Sequence, residues 1–370
     1  MSTLFYNTYS QEFFNDVSHE LIFQFIKELN VRNFEFNTRK GVLNRNEWKN
    51  IFENYPIIYK GMKWDAFKQK AVEVPFQPKI NNVGWDDFLE VSNKFFNKFK
   101  DKKIAVQLSG GLDSSIIIGL LSFFKIPFWT VGISSNRYEF RTEKVIQKLL
   151  GKLSNDSILL DFESYLPFGD LKNIPAHDYP DIHAINFATQ NGMAQVCQDL
   201  GIEIFLTGDG GDILLGEAIP SSNDQFRCYP QVFCPEWIQE NVYSPKGIEL
   251  ISFYSNNLII DVLYNLRRGQ KADNSKLWAR NFCSRILPNE LTDFDYKADF
   301  WGLYQSGFFN AIEEINFLIH QAYDVFKIEQ FAPKEWNPLI GKNLNRMDKD
   351  LYQIIESRIA LAIWINSLKL

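Results

Sequence analysis

The stretch Ile104-Ala105-Val106-Gln107-Leu108-Ser109-Gly110-Gly111-Leu112-Asp113-Ser114-Ser115 decides the reading of this chain. It begins as a short apolar run of strand length, turns at a glycine pair, and continues into Ile116, Ile117, Leu120, Leu121 and Phe124, which recur on one helical face. Glycines let a backbone turn tightly and approach an anion, while the amides that open a helix carry partial positive charge. A strand, a glycine turn and a helix N-terminus in that order make a cradle for phosphate. Ser109, Ser114 and Ser115 add hydroxyl donors. The lysine of a Gly-x-x-x-x-Gly-Lys-Ser/Thr loop is missing, so the charge of a triphosphate must be met by metal ions and by a lysine from elsewhere.

Outward from this loop, residues 101–216 alternate short β-rich runs with longer amphipathic stretches, the pattern of βαβ units and a mostly parallel sheet. Strands are expected at Ile104–Leu108, Phe128–Ile133, Ser157–Leu160 and Glu203–Thr207. Helices are expected after Asp113, over Glu139–Leu150 with Gly151 as its cap, and before Gly201. The last strand runs into a second glycine-rich stretch, Thr207-Gly208-Asp209-Gly210-Gly211-Asp212-Ile213-Leu214-Leu215-Gly216. Both loops then lie at the carboxyl ends of strands, where open parallel sheets bind ligands. Asp113 and Asp212 can face one crevice there, and two carboxylates with phosphate oxygens are the hard ligands that Mg2+ prefers.

The rest of the chain carries less chemistry. Residues 1–100 mix helical periodicity over Phe13–Leu29 with short aromatic runs, a small α+β region of unknown role. Residues 217–370 read as mainly helical, broken at Pro235, Pro245, Pro288 and Pro333, with an apolar helix at Leu351–Leu368. The 370 residues are 45% hydrophobic and 15% aromatic, enough for a packed core, and their net charge of -6 gives no basic field for nucleic acid. Cys197, Cys228, Cys234 and Cys283 have neither zinc-site spacing nor disulfide density, which fits reduced thiols. The start lacks the layout of a secretion signal, and no apolar run reaches the roughly 20 residues of a membrane span, so a cytoplasmic protein without a membrane partner is expected. Among the four histidines no metal spacing occurs.

Ser109 to Ser115 resembles the pyrophosphate loop of the ATP pyrophosphatase (PP-loop) superfamily, in the form found in asparagine synthetases and β-lactam synthetases. In those enzymes a second loop reads Gly-Glu-Gly-Ala-Asp-Glu or Gly-Tyr-Gly-Ala-Asp-Ile, and Gly208-Asp209-Gly210-Gly211-Asp212-Ile213 is similar in frame, nearer the second form. Phe128 to Gly132 with Tyr138-Glu139-Phe140 resembles the adenine-edge strand and the helix after it. Lys276-Leu277-Trp278-Ala279-Arg280, Leu287 to Leu291 and Tyr296-Lys297 resemble the family's Lys-x-x-x-Arg, Leu-Pro and catalytic-lysine run. The similarity spans roughly Ile104 to Gly307, and the fold it implies is α/β: a parallel-sheet, adenine nucleotide α-hydrolase-like domain over 101–216, followed by the helical subdomain.

The resemblance implies ATP and Mg2+ as cofactors. Ser109, Gly110, Gly111, Ser114 and Ser115 would hold pyrophosphate, Asp113 and Asp212 the Mg2+, and Leu108, Val131, Gly132 and Gly208 the adenosine. Lys297 would reach the α-phosphate and then the acyl centre. Asp209 stands where asparagine synthetases have Glu and β-lactam synthetases a catalytic Tyr; it could take the proton of the incoming amine if burial raised its pKa. Glu240, just before Tyr243-Ser244-Pro245, lies near the place of the lactam enzymes' helper glutamate. The segment from His177 to Pro180 is similar in place to one that lines the acyl-substrate pocket in those enzymes, which implies Asp178 and His183 as secondary candidates for substrate contact. The implied reaction adenylates a small-molecule or peptide carboxylate, releases pyrophosphate and passes the acyl group to an amine or ammonia. Residue 2 is Ser rather than the glutaminase cysteine, and about 100 residues precede the loop, so no glutaminase domain is expected. An amine carried by the substrate, in specialised-metabolite or peptide modification, is the preferred expectation. An ammonia-dependent asparagine synthetase-like enzyme, a non-catalytic nucleotide- or peptide-binding relative and a tRNA-modifying relative are the alternatives, and a homodimer is left open.

Overall fold

The computed structural model describes residues 35–38, 41–44, 62–65, 70–73, 83–177, 181–216, 236–269, 271, 273, 275–292, 301–326, 336 and 349–367. The chain divides into two compact units, one of residues 74–166 and 189–304, the other of residues 1–73, 167–188 and 305–370.

The first of these units is built on a five-stranded, all-parallel sheet. Its strands are Ile104–Gln107 (β1), Trp129–Ser134 (β2), Ser157–Asp161 (β3), Ile204–Thr207 (β4) and Glu249–Ser252 (β5), in the spatial order β3-β2-β1-β4-β5. Val106 pairs with Thr130 on one side of β1, and Ala105 with Phe205 on the other. The order therefore reverses at β1, the position where a doubly wound sheet opens a crevice beyond its carboxyl edge. Ile104, Ala105 and Val106 are buried, as are all four residues of β4, the continuous apolar pattern of strands covered on both faces. Four of the five strands lie within a residue or so of the sequence expectation. β5 departs from it, because it belongs to the stretch read as helical. Glu249-Leu250-Ile251-Ser252 is too short to show a period by itself, and its pairing of Leu250 with Phe205 creates the strand.

Helices Trp85–Asn97 (α1), Leu112–Phe123 (α2), Arg141–Gly151 (α3), Phe187–Asp199 (α4), Asn257–Arg267 (α5) and Leu277–Phe282 (α6) accompany these strands in chain order. Ile116, Ile117, Leu120 and Leu121 of α2 are buried as expected, but so are Ile118 and Gly119, so the helix is enclosed rather than amphipathic. Gly119 explains how: a Cβ there would lie 2.5 Å from the Ile286 carbonyl oxygen, so a second layer of backbone sits directly on the helix. Each such isoleucine or leucine contributes roughly 2 kcal/mol of transfer free energy, an upper figure. α1 brings Phe88, Phe95 and Phe96 into the same core, and the Phe96 ring stacks on Phe253 with centroids 5.6 Å apart. Part of the stretch before residue 101 is thus a wall of the sheet domain. Gly151 closes α3 from inside the helix, with Lys152 as the cap; glycine is needed because a Cβ there would meet Ser157 Oγ at 2.6 Å.

The other unit holds two antiparallel hairpins, Glu35–Thr38 with Gly41–Asn44 and Met62–Asp65 with Lys70–Glu73. Its helices Ile312–Phe326 and Lys349–Ser367 pack together, and Asn366 Nδ2 donates to Leu318 O at 2.9 Å. Lys349–Ser367 is the expected C-terminal apolar helix, and its buried Trp364 donates from Nε1 to His177 O at 3.1 Å. The expected helix over Phe13–Leu29 lies outside the described residues. Among the described residues no helix is long and apolar enough to cross a membrane.

Candidate functional site

The two glycine-lined turns meet beyond the carboxyl ends of β1 and β4. Gly110 takes a left-handed backbone, φ 82°, and a side chain there would strike the Glu143 carbonyl oxygen at 2.9 Å, so the first turn is pressed onto α3. Gly111 caps α2, and its carbonyl accepts from Ser115 N at 3.2 Å, Ser115 Oγ at 2.6 Å and Ser114 Oγ at 3.2 Å. Ser109 Oγ accepts from Gly111 N at 3.1 Å and lies 2.8 Å from Ser114 Oγ. The loop is closed by its own hydroxyls. Ser109 is exposed, Asp113 half-buried, and Ser114 and Ser115 buried. The helix that follows points its N-terminal amides at this turn, the arrangement that attracts anions.

The second turn leans on the first. A Cβ on Gly208 would come within 2.9 Å of Ser114 N, and one on Gly211 within 2.5 Å of Asp113 Cγ. Only hydrogen at these two positions lets the loops touch. After Gly211 the chain makes a wide, π-type turn over Asp212–Gly216, and the buried Arg267 donates from Nη1 to Leu214 O at 2.8 Å, holding it. Tyr254 Oη donates to Asp113 O at 3.1 Å; burial, then the Asp113 charge, push its pKa well above the ordinary tyrosine value, so it remains a donor.

Lys276 occupies the junction. Its ammonium lies 2.7 Å from both carboxylate oxygens of Asp113 and 2.6 Å from Asp212 Oδ1. Burial alone would lower its pKa, but the charges of Asp113 and then Asp212 outweigh that, and the net direction is upward. The residue is held in a left-handed backbone, φ 54°, a conformation that costs a non-glycine residue on the order of 1 kcal/mol. Asp273 supports it by accepting from Ser275 N, Ser275 Oγ and Leu277 N, while Asp273 N donates to Gly216 O at 2.7 Å. The tip that carries Lys276 is thereby tied to the end of the second turn. Lys276 belongs to the Lys-x-x-x-Arg run, and a lone lysine in a sequence gives no sign of a partner 163 positions away.

Among the other expected site residues, Leu108 is buried and its amide donates to Val131 O at 2.9 Å. Gly132 abuts it so closely that a Cβ would fall 2.2 Å from Leu108 O. Leu108 thus packs against Val131 and Gly132 where the phosphate loop begins, and Gly208 packs against Asp113 and Ser114 at its far end. Asp209 accepts from Thr207 Oγ1 at 2.8 Å, and its carbonyl accepts from Ser252 Oγ at 2.6 Å. Asp209 is exposed, so the burial on which the expected base role depends is not supplied by the fold. Glu240 is half-buried on the wide turn Gln239–Tyr243 that leads to β5. Lys297, Asp178, Cys228 and Cys234 lie outside the described residues. His183 donates from its backbone amide to Asp181 Oδ1 at 2.8 Å, in the unit that also holds the hairpins. Cys197 and Cys283 are buried free thiols. Among the described residues no group of three or more His, Cys, Asp and Glu is placed to hold a metal.

A doubly wound parallel sheet with two glycine-lined turns converging at its switch point is the architecture of an α/β nucleotide-binding domain. Residues 98–224, about a third of the chain, match the family model described as asparagine synthase, so this segment is that of an asparagine synthetase-family synthetase domain. No curated protein matches the chain.

Proposed function

We propose that this protein is an ATP-dependent, AMP-forming ligase that adenylates a carboxylate and transfers the acyl group to an amine. The observation that carries the reading is the convergence of Asp113 and Asp212, one from each glycine loop, on a single cationic nitrogen. Two carboxylates that share one cation are suited to share another, and with triphosphate oxygens they form the hard donor set of Mg2+. Bound by Asp113 and Asp212, that ion would supply countercharge to the pyrophosphate portion of the nucleotide. Lys276 provides the cation that the glycine loop itself lacks, poised to move from carboxylates to phosphate oxygens when the nucleotide enters.

The residues divide the work by position. Amides and hydroxyls of Ser109 to Ser115 hold the β- and γ-phosphates and stabilise the charge that grows there as the bond to the α-phosphorus breaks. A substrate carboxylate oxygen attacks that phosphorus, pyrophosphate leaves, and an acyl-adenylate remains, its adenosine lying against Leu108, Val131, Gly132 and Gly208. The amine nitrogen then attacks the acyl carbon, AMP leaves, and the surplus proton passes to Asp209, with Glu240 as its helper. Lys297 is assigned to the developing negative charge of both steps. We place this work in residues 101–370, with an amine already on the substrate and a specialised metabolite or modified peptide as product, acting in the cytoplasm without nucleic acid.

The test is to follow nucleotide consumption across a panel of carboxylic acids and amines. AMP and pyrophosphate must appear in equal amounts with an amide product seen by mass analysis; ADP and phosphate in their place would overturn the reading.

A further inference from the structure

Gln147 lies on α3 one turn after Glu143, between the carboxyl ends of β1 and β2, and is 1% exposed. Its side-chain nitrogen donates to Leu108 O at 3.0 Å and to Ile133 O at 2.7 Å. Those bonds use both hydrogens of the primary amide. Because both partners are carbonyls, they also fix which end of the amide is nitrogen. The oxygen therefore faces the other way with no freedom to exchange places. That Oε1 is buried and no hydrogen bond reaches it, and the same holds for Ser134 Oγ nearby.

Both residues line a small pocket walled by Phe140 and Phe162 and edged by Ser109 and Glu143. Its enclosed part has room for a group of about one water's size. Of the groups offered to that space, the Gln147 amide oxygen and the Glu143 carboxylate can only accept, while the serine hydroxyls turn to donate or accept. The pocket opens where the phosphate loop begins, and Gln147 is bonded to the very carbonyl of Leu108 that borders the adenosine position.

We propose that Gln147 is the residue that selects the base: its Oε1 accepts a hydrogen bond from the 6-amino group of adenine while Phe140 and Phe162 flank the ring edge. The inference rests on the ATP-dependent reading above. A base with a carbonyl at that position, hypoxanthine or guanine, would set oxygen against an oxygen that cannot turn away. The penalty for such a buried mismatch corresponds to discrimination on the order of 10- to 100-fold.

The experiment is calorimetric titration of the full chain with Mg-ATP and with Mg-ITP, which differ at the 6-position of the base, for the unaltered protein and for Gln147→Met. Methionine keeps length and apolar bulk but neither donates nor accepts in the same way. The unaltered protein is expected to bind ATP at least about 10-fold more tightly than ITP, and Q147M to bind the two within about threefold. A residue with a merely structural role would weaken both nucleotides and leave their ratio unchanged, and that result would overturn the assignment. Equal binding of ATP and ITP by the unaltered protein overturns it without recourse to the variant. Binding of ATP with no preference removes this inference alone, whereas binding of neither nucleotide removes the ligase reading as well.

Discussion

Lys276 brings its ammonium to 2.7 Å from each carboxylate oxygen of Asp113, a residue 163 positions earlier in the chain, and the two side chains are 10% and 18% exposed. Asp212 joins the same nitrogen from the second turn but is 63% exposed. The unequal burial of the two carboxylates separates their expected behaviour.

Lys276→Met leaves Asp113 half-buried opposite a side chain without charge. Breaking such a pair should cost about 1–3 kcal/mol, less than for a fully enclosed one, measured by urea unfolding. Pyrophosphate release should fall at least about 100-fold, as for loss of a charge that stabilises the transition state.

The pH dependence follows from the raised pKa of Lys276. Its contribution is fully present below the ordinary 10.5 of an unfolded lysine and is lost as pH rises through the higher folded value. The stability difference between the unaltered protein and K276M should hold constant through neutral pH and shrink above about pH 10.5. A difference that shrank on acidification through pH 8 would contradict the pairing.

Asp113→Asn and Asp212→Asn should part company. D212N removes an exposed charge and should change stability by less than about 0.5 kcal/mol, while raising the Mg2+ concentration that half-saturates ATP binding. D113N should raise that concentration too and also destabilise. Unchanged Mg2+ dependence in both variants would remove the two aspartates from the metal role.

Gly211→Ala forces a methyl group to within 2.5 Å of Asp113 Cγ. The clash should cost about 1–3 kcal/mol and weaken nucleotide binding, because Asp113 must shift. Gly201→Ala is the control: φ there is +67° but nothing lies within 4 Å of the added carbon. It should cost about 1 kcal/mol of backbone strain and leave nucleotide binding alone.

Burial pushes the Cys197 thiol up to about 12 and raises that of Cys283 as well. Site-resolved alkylation at pH 8 should leave both unmodified in the native protein and label both once urea unfolds it.

The glycine loops were legible because their chemistry is local: strand, turn and helix start follow one another within a dozen residues. The four strands from Ile104 to Thr207 were legible for the same reason, each being an apolar run between helices. β5 was not, since four residues, Glu249 to Ser252, become a strand only through pairing with β4. Nor was the part played by α1, whose Phe96 meets Phe253 from far along the chain. Lys276 is not legible as a site residue because its significance is its two partners, and sequence spacing carries no trace of a contact closed by the fold. Gln147 reads as one polar position among several on an amphipathic helix until two backbone carbonyls are seen to hold it.

The edge position of β5 bears on how this protein can be cut. A fragment ending at residue 224, with the matched segment, would carry both glycine turns yet lack Ser252, Tyr254, Arg267 and Lys276, the four groups that brace them from downstream. It would also leave the backbone of Ile204–Thr207 bare along one side, inviting another chain to dock there. Expression trials aimed at a minimal nucleotide-binding piece should therefore extend through α6.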